Sequence, residues 1–384
     1  MEMQKTIGID ARFLGDAGPG RYVKNIVENL ENLDTKNNYV IFLREKGFDS
    51  YQPHNLNFKK VLADYHWYTF EEQLGYLRVL LEEKLDLYYV PHFNIPVLYP
   101  KKLVTAIPDL IMHTYSTERG TTLPKLYFKF KKIVYRMVVL WAVIRSKRVI
   151  VPSNDVMSDF KKLLPFVNEK KYVLAYEGVD PVLLSNDSNE DVLTKLNIQK
   201  PYILFISSMY EHKNVTRLLT AFKILKEKYG YAGQLVLVGK KDNFSKSYSE
   251  LSQKLGLSDS VKFPGLDNYV TDSETLYLRK NADMYVFPSL KEGFSLTPLE
   301  AQSLGLVCAI SDIPCHREIY EDSVLYFDPY DEEHMALKIE TLLKSPRLKD
   351  ELIQRGFEQV KKYSWVSTAE ITFDVIKEAL GQNS

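Results

Sequence analysis

Short apolar runs bounded by turn formers recur along this chain and alternate with longer segments of helical periodicity. In the first half the runs are residues 6–9, 39–43, 87–90, 104–107 and 149–151. In the second half they are 202–206, 235–238, 284–287 and 307–310. Each is rich in Val, Ile, Leu or Tyr and lacks apolar/polar alternation, as expected of a strand covered on both faces. Between them, 21–33 and 216–229 place apolar residues three and four apart, one face of a helix. Strand alternating with helix builds βαβ units and a parallel sheet, and here the set occurs twice. The spacing therefore predicts an α/β protein of two doubly wound, Rossmann-like domains. The break falls in the polar stretch 180–199, which contains SNDSNED. The expected division is a first domain over 1–180, a second over 190–363, and a C-terminal helix over 364–384. In open parallel sheets ligands bind outside the carboxyl ends of the strands. Two such domains facing each other would enclose a cleft.

The 384 residues suit two domains of this kind. The 50 basic residues balance the 50 acidic ones, which argues against a general nucleic-acid binder. The two cysteines, Cys308 and Cys315, are too few for a disulfide framework and match no zinc spacing. A reducing, cytoplasmic setting is expected. The N-terminal residues run directly into a strand pattern, without a basic and then apolar leader. No run of about 18 apolar residues is present, so no spanning helix is expected. Segment 125–148 carries Lys125, Lys129, Lys131, Lys132, Arg136, Arg145, Lys147 and Arg148 among aromatic and aliphatic residues. It reads either as a domain helix with one buried stripe and a solvated basic face, or as a helix lying on the inner, anionic surface of a membrane.

Three segments carry chemistry. The first runs Phe287-Pro288-Ser289-Leu290-Lys291-Glu292-Gly293-Phe294-Ser295-Leu296-Thr297-Pro298-Leu299-Glu300, directly after an apolar strand. Gly293 lets a ligand approach the backbone closely, and the helix that follows aims its N-terminus at the same place, which favours phosphate. Glu292 can accept hydrogen bonds from sugar hydroxyls, and Glu300 can take both hydroxyls of a ribose. Thr297 to Glu300 also reads as a capping box with Pro298 at the first helical position, in which case Glu300 only closes the helix end. The second segment ends strand 202–206 in Ser207 and Ser208 and continues to Glu211-His212-Lys213-Asn214. Lys213 can meet phosphate oxygens as a point charge, although an ordinary βα loop with a solvated lysine looks the same. The third is the loop Gly15, Gly18, Gly20, Arg21 between the first strand and first helix, which either cradles an anion or is a simple tight turn. It is not G-x-G-x-x-G, which excludes the nicotinamide dehydrogenase pattern.

The first segment resembles the E-x7-E motif of the family-four retaining glycosyltransferases, usually E-G-F-G-L-P-x-x-E, and the resemblance runs from Gly8 to the region of Trp365. It implies the GT-B fold and a retaining hexosyltransferase that needs no metal or other cofactor. The implied donor is a nucleotide sugar of the GDP-mannose or UDP-glucose type, bound through Ser207, Ser208, Lys213, Gly265, Glu292, Gly293, Phe294, Ser295, Leu296 and Glu300. The implied acceptor is a glycan or a lipid-linked glycan. Lys213 resembles the family lysine on the donor pyrophosphate, and Gly265 stands where the backbone would approach the base. Gly15, Gly18, Gly20 and Arg21 resemble the G-x-G-R-Y loop near the acceptor and the donor phosphate. The C-terminal helix would return to the first domain. Several positions depart from the pattern. Ser295 and Thr297 replace Gly and Pro, Ser207 and His212 replace Gly and Arg, and an arginine near Ser208 is missing. Pro108 stands where the family has the histidine of T-I-H-D-L, leaving Asp109 as the catalytic candidate there and His92 or His113 to supply an imidazole, His92 on the acceptor side. Two further readings remain: a degenerate GT-B nucleotide-sugar-binding protein, favoured by Pro108 and the missing arginine, and a GT-B nucleotide-sugar epimerase, which the loss of that histidine disfavours.

Overall fold

The computed structural model describes residues 4–16, 18–115, 125–179 and 192–382, with side chains in the helix after residue 124 described from Lys129 onward. The strands are β1 (Thr6–Asp10), β2 (Asn38–Leu43), β3 (Phe58–Leu62), β4 (Leu87–Val90), β5 (Lys102–Ala106), β6 (Val149–Val151), β7 (Tyr172–Leu174), β8 (Tyr202–Ile206), β9 (Gln234–Val238), β10 (Val261–Lys262), β11 (Met284–Phe287), β12 (Cys308–Ser311) and β13 (Leu325–Phe327). The helices of the first half are α1 (Pro19–Leu33), α2 (Glu45–Ser50), α3 (Leu77–Glu82), α4 (Ile111–Thr114), α5 (Lys125–Arg145) and α6 (Asn154–Leu163). Those of the second half are α7 (Val192–Lys195), α8 (Val215–Tyr229), α9 (Asn243–Lys254), α10 (Pro264–Asp267), α11 (Asp272–Asn281), α12 (Leu296–Ser303), α13 (Pro314–Tyr320), α14 (Glu332–Lys344), α15 (Pro346–Val360) and α16 (Trp365–Leu380).

The chain divides into two compact units. One holds residues up to 110, 125–178 and those from 364 onward; the other holds 111–115, 179 and 192–363. The first unit is a seven-stranded sheet of order β3-β2-β1-β4-β5-β6-β7, and the second a six-stranded sheet of order β10-β9-β8-β11-β12-β13. Every pairing is parallel, for example Ile9 with both Ile41 and Tyr89, and Tyr285 with both Leu204 and Cys308. These are two doubly wound α/β sheets, as the spacing of apolar runs predicts. Interior strands such as β2 and β9 are buried along nearly their whole length because helices cover both faces. The linker segment 180–191 lies outside the described residues.

Two features position the sites. In each sheet the strand order reverses once, between β1 and β4 and between β8 and β11. A crevice opens at such a reversal outside the strand ends. In the first unit, α16 packs on α1. It starts where the Ser364 hydroxyl accepts from Val366 N at 3.2 Å and ends at Gly381, which takes the left-handed conformation. Its face of Trp365, Thr368, Ala369, Thr372, Val375, Ile376 and Leu380 repeats every three to four residues and is buried. Gly178 lies beneath its first turn: a Cβ there would stand 2.4 Å from Trp365 N.

The outward side of α5 differs from the solvated basic face expected of a domain helix. Tyr135, Val139, Ala142 and Val143 face the core, but Phe130, Ile133, Val134, Met137, Trp141 and Ile144 are exposed. Arg145 and Arg148 serve the fold: Arg145 donates to Tyr99 O at 3.1 Å and Arg148 pairs with Glu378. Lys125 lies among residues whose side chains are not described. Among the described residues no helix is long and apolar enough to cross a membrane.

Candidate functional site

In the second unit the residues at the ends of β8 and β11 meet. Lys213 Nζ lies 2.6 Å from Glu292 Oε1, and both side chains are buried. The lysine also stands 5.1 Å above the Phe287 ring. Two ties hold the loops in register. Leu290 N donates to His212 O at 2.7 Å, and Asn214, in the left-handed conformation, donates to Pro288 O at 3.1 Å and Pro329 O at 2.8 Å. Burial pushes the Glu292 carboxyl up, but Lys213 and His212 outweigh it and hold the group below the usual carboxylate range. Burial and Lys213 push His212 down to about 4, against Glu292, so its imidazole is neutral at pH 7.

The loop from Glu292 into α12 is fixed from behind. Ser295 is in the left-handed region at φ 76°, where a glycine would sit without strain. His316 explains how serine is tolerated. Its Nδ1 lies 2.8 Å from Ser311 O, an acceptor, so Nδ1 carries the proton and Nε2 is a bare lone pair. The Ser295 hydroxyl donates to that lone pair at 3.0 Å, and Tyr320 OH donates to Ser295 O. This also corrects the expected capping box. The helix begins at Leu296 with Ser295 as its N-cap, so Thr297 lies inside the first turn and Pro298 two residues beyond the first helical position. Leu296 and Thr297 leave their N–H groups outside the helical ladder, facing the end that favours anions.

Glu300 is therefore not a capping residue. Its Oε2 lies 2.5 Å from Arg279 Nη2, and both side chains are almost fully buried. Ser207 N donates to Val238 O at 3.1 Å, and Gly239 packs so closely that a Cβ would stand 2.7 Å from Ser207 O. Gly265 sits against the same glycine: a Cβ there would stand 2.0 Å from Gly239 O. Ser207, Gly239 and Gly265 thus form one edge of the crevice, while Ser208 is half-buried beside them. Gly293 and Phe294 are buried in the loop, the Phe294 ring edge-on to Tyr363 at 5.4 Å. A cavity of ≈ 930 Å³ between α8 and α9 is lined by Asn214, Arg217, Phe244 and Tyr248 among others, but not by Lys213 or Glu292.

The remaining candidates are in the first unit. Gly15 and Gly18 take positive φ, 90° and 73°, and Pro19 opens α1. A Cβ on Gly20 would stand 2.4 Å from Phe13 O, so that glycine is required by packing whatever the loop binds. His92 follows β4. Asn94 N donates to its Nδ1 at 3.2 Å, which leaves the proton on Nε2, and the ring lies 5.0 Å from Phe13. Burial pushes His92 down to about 4, Asp10 opposing and Arg12 assisting, so it is a neutral donor rather than a base. His113 lies in the one-turn α4. Asp109, after β5, and Arg21 both act on a residue the sequence reading overlooked, Glu177. Burial pushes that carboxyl up to about 7, with Asp109 adding to the rise and Arg21 opposing it. The available signal was a carboxylate and a glycine directly after the apolar run 172–175. Among the described residues no group of three or more His, Cys, Asp or Glu side chains is placed to hold a metal ion.

Two parallel α/β sheets, each reversing its strand order once, have the GT-B fold of solved glycosyltransferases. Residues 188–359 match the family described as Glycosyl transferases group 1. Among curated proteins, the chain is 25% identical over 316 residues to the O-antigen chain mannosyltransferase RfbU of Salmonella typhimurium, covering 82% of this chain and 78% of that one. It is 26% identical over 218 residues to N,N'-diacetylbacillosaminyl-diphospho-undecaprenol alpha-1,3-N-acetylgalactosaminyltransferase of Campylobacter jejuni, covering 55% of each. A solved glycosyltransferase from Rickettsia africae superposes with a TM-score of 0.73 over 100% of both chains at 17% identity, a likeness of fold.

Proposed function

We propose that this protein transfers a hexosyl group, with retention, from a nucleoside-diphosphate sugar to a glycan or lipid-linked acceptor, without a metal ion. The observation that carries the reading is the buried Lys213–Glu292 pair at the sheet reversal, beside the open N–H groups of α12. The anomeric C–O bond to the diphosphate breaks, and the acceptor oxygen bonds to the same face. The departing phosphate oxygen takes the acceptor proton. Lys213 and the Leu296 and Thr297 amides stabilise the charge that develops on the diphosphate, which is electrostatic catalysis. Glu292 orients Lys213 and accepts from the sugar hydroxyls. Glu300, steadied by Arg279, accepts from the ribose. Asp109 takes part on the acceptor side in the position next to Pro108. Two carboxyls about 5 Å apart would be needed for the double displacement of retaining glycosidases; the partner of Glu292 here is a lysine. The mannosyltransferases among the relatives favour mannose as the sugar, for which GDP-mannose is the proposed donor, and the relative that acts on a diphospho-undecaprenol substrate favours a lipid-linked acceptor. UDP-glucose is the other donor to test.

The test is thermal stability against UDP, GDP, ADP and their sugars, with a chelator present. A ligand at 100 times its dissociation constant adds about 2.7 kcal/mol. One base should raise the melting temperature, and Lys213→Ala or Glu300→Ala should abolish the rise. No shift with any nucleotide refutes the donor site. A shift without release of free nucleotide in the presence of glycan and lipid-linked acceptors supports the degenerate binding protein instead, the reading that Pro108 favours.

A further inference from the structure

The first unit turns a large amount of apolar side chain outward in one place. The exposed ridge of α5, from Phe130 to Ile144, repeats every three to four residues and so forms one line along the helix. It does not end there. Trp141 Nε1 donates to Val97 O at 2.9 Å, which sets Val97 and Leu98 beside it, Leu98 being 71% exposed. Val97 N donates to Gln73 Oε1 at 2.8 Å, in the helical turn Glu72–Tyr76. That turn carries Leu74 and follows Phe70, 65% and 89% exposed. Beneath, Phe93 stacks on Tyr68 and meets Tyr135 of α5 edge-on at 4.9 Å. Segments far apart in sequence are thus tied into one continuous apolar band. A cavity of ≈ 370 Å³ at its end is lined by Tyr65, Phe70, Glu71, Leu74 and Gly75. Soluble monomers rarely expose an apolar patch larger than roughly a few hundred Å². The charge on α5 itself has one sign: the helix contains no acidic residue, and Lys129, Lys131, Lys132 and Arg136 stand along it, with Asp109 near Tyr135 and Glu71 at the far end of the band as the acids close by.

We propose that this band is a membrane-docking face, bedded on an anionic lipid bilayer with the apolar ridge at the boundary between headgroups and acyl chains. Lys129, Lys131, Lys132 and Arg136 meet the headgroups. An apolar line flanked by cations matches a surface that is negative at its rim and apolar below. A symmetric contact with a second copy would set these cations against their own kind. The inference goes beyond glycosyl transfer and rests on residues outside the donor site, so either can fail alone.

Flotation with vesicles of phosphatidylcholine alone, or mixed with phosphatidylglycerol, tests it. The protein should float with the mixed vesicles, and less so as salt rises. Leu98→Ser with Met137→Ser should lower partitioning roughly tenfold or more. Lys129→Glu, Lys131→Glu and Arg136→Glu together should lower it by about 100-fold or more. A cooperative thermal transition at an unchanged melting temperature, measured without nucleotide, shows that these variants are folded. The proposal is overturned if the wild type ignores both vesicle types at low salt, or if the variants float as it does. It is also overturned if light scattering shows a dimer that Leu98→Ser with Met137→Ser dissociates.

Discussion

His316 lets Ser295 hold a backbone conformation that suits glycine, and removing the imidazole should show this as a measurable coupling. In His316→Ala the Ser311 carbonyl and the Ser295 hydroxyl both lose a buried partner. The Ser295 hydroxyl is left without that partner, at about 1–3 kcal/mol, while the Ser311 carbonyl keeps Ile313 N and loses about 1 kcal/mol, so the variant should lose about 2–4 kcal/mol. Ser295→Gly in the wild-type background should be nearly neutral. It loses a hydrogen bond of about 1 kcal/mol and relieves left-handed strain of roughly 1–2 kcal/mol, while glycine loosens the unfolded chain. In the His316→Ala background the same substitution removes both the strain and the orphaned hydroxyl, and should recover about 2 kcal/mol. The expected coupling is therefore about 1–2 kcal/mol. Amide exchange over residues 292–303 reads it locally, and nucleotide affinity across the four proteins reads it at the site. Additive effects, with no recovery in the double variant, would refute the latch. Its pH dependence has a definite sign. Burial pushes His316 down to about 4, below its unfolded value near 6.5. Its contribution is complete above pH 6.5 and is lost as pH falls from there through 4. His212 and His92 behave alike.

Glu177 has the opposite sign. Its folded value, about 7, lies above the ordinary 4.5. It should therefore subtract stability as pH rises from 4.5 to 7, by at most about 3 kcal/mol. Urea midpoints across that range should be flatter for Glu177→Gln than for the wild type; parallel curves would show that the carboxyl titrates normally. Gly265→Ala forces a Cβ onto Gly239 O and should lower the melting temperature and weaken nucleotide binding together. Gly20→Ala meets Phe13 O in the same way and should destabilise the first unit. A Gly20→Ala protein as stable as the wild type would mean the loop is free to move away.

Every interior strand of both sheets is among the apolar runs singled out in the sequence; β3, β7, β10 and β13 are not, and each of those four is an edge, with β7, β10 and β13 only two or three residues long. An edge strand needs less apolar side chain. β3 carries Lys59 and Lys60 side by side at its middle, and β10 is two residues long. Motif spacing exposed Lys213 and Glu292 but not that they pair with each other across 79 residues. Nothing near Glu300 in sequence announces Arg279, because helix α11 brings the arginine from 21 residues away. The start of α12 was misplaced because local capping chemistry favours Thr297, whereas tertiary contacts from His316 and Tyr320 select Ser295. Glu177 was hidden behind an edge strand.

The first unit takes its last helix from beyond the whole of the second. Ala369, Val375, Ile376 and Leu380 of α16 belong to the same apolar cluster as Val23, Ile26, Val27 and Leu30 of α1. On the ribosome, where synthesis runs at about 5–20 residues per second, that cluster stays open while residues 179–363 are made. The later unit can finish folding before the earlier one. The α1 surface that awaits α16 is then an apolar stripe exposed for about ten seconds or more. A nascent chain stalled after residue 363 should recruit chaperones to its first unit while its second already resists protease, and adding a peptide of residues 364–384 in trans should release them.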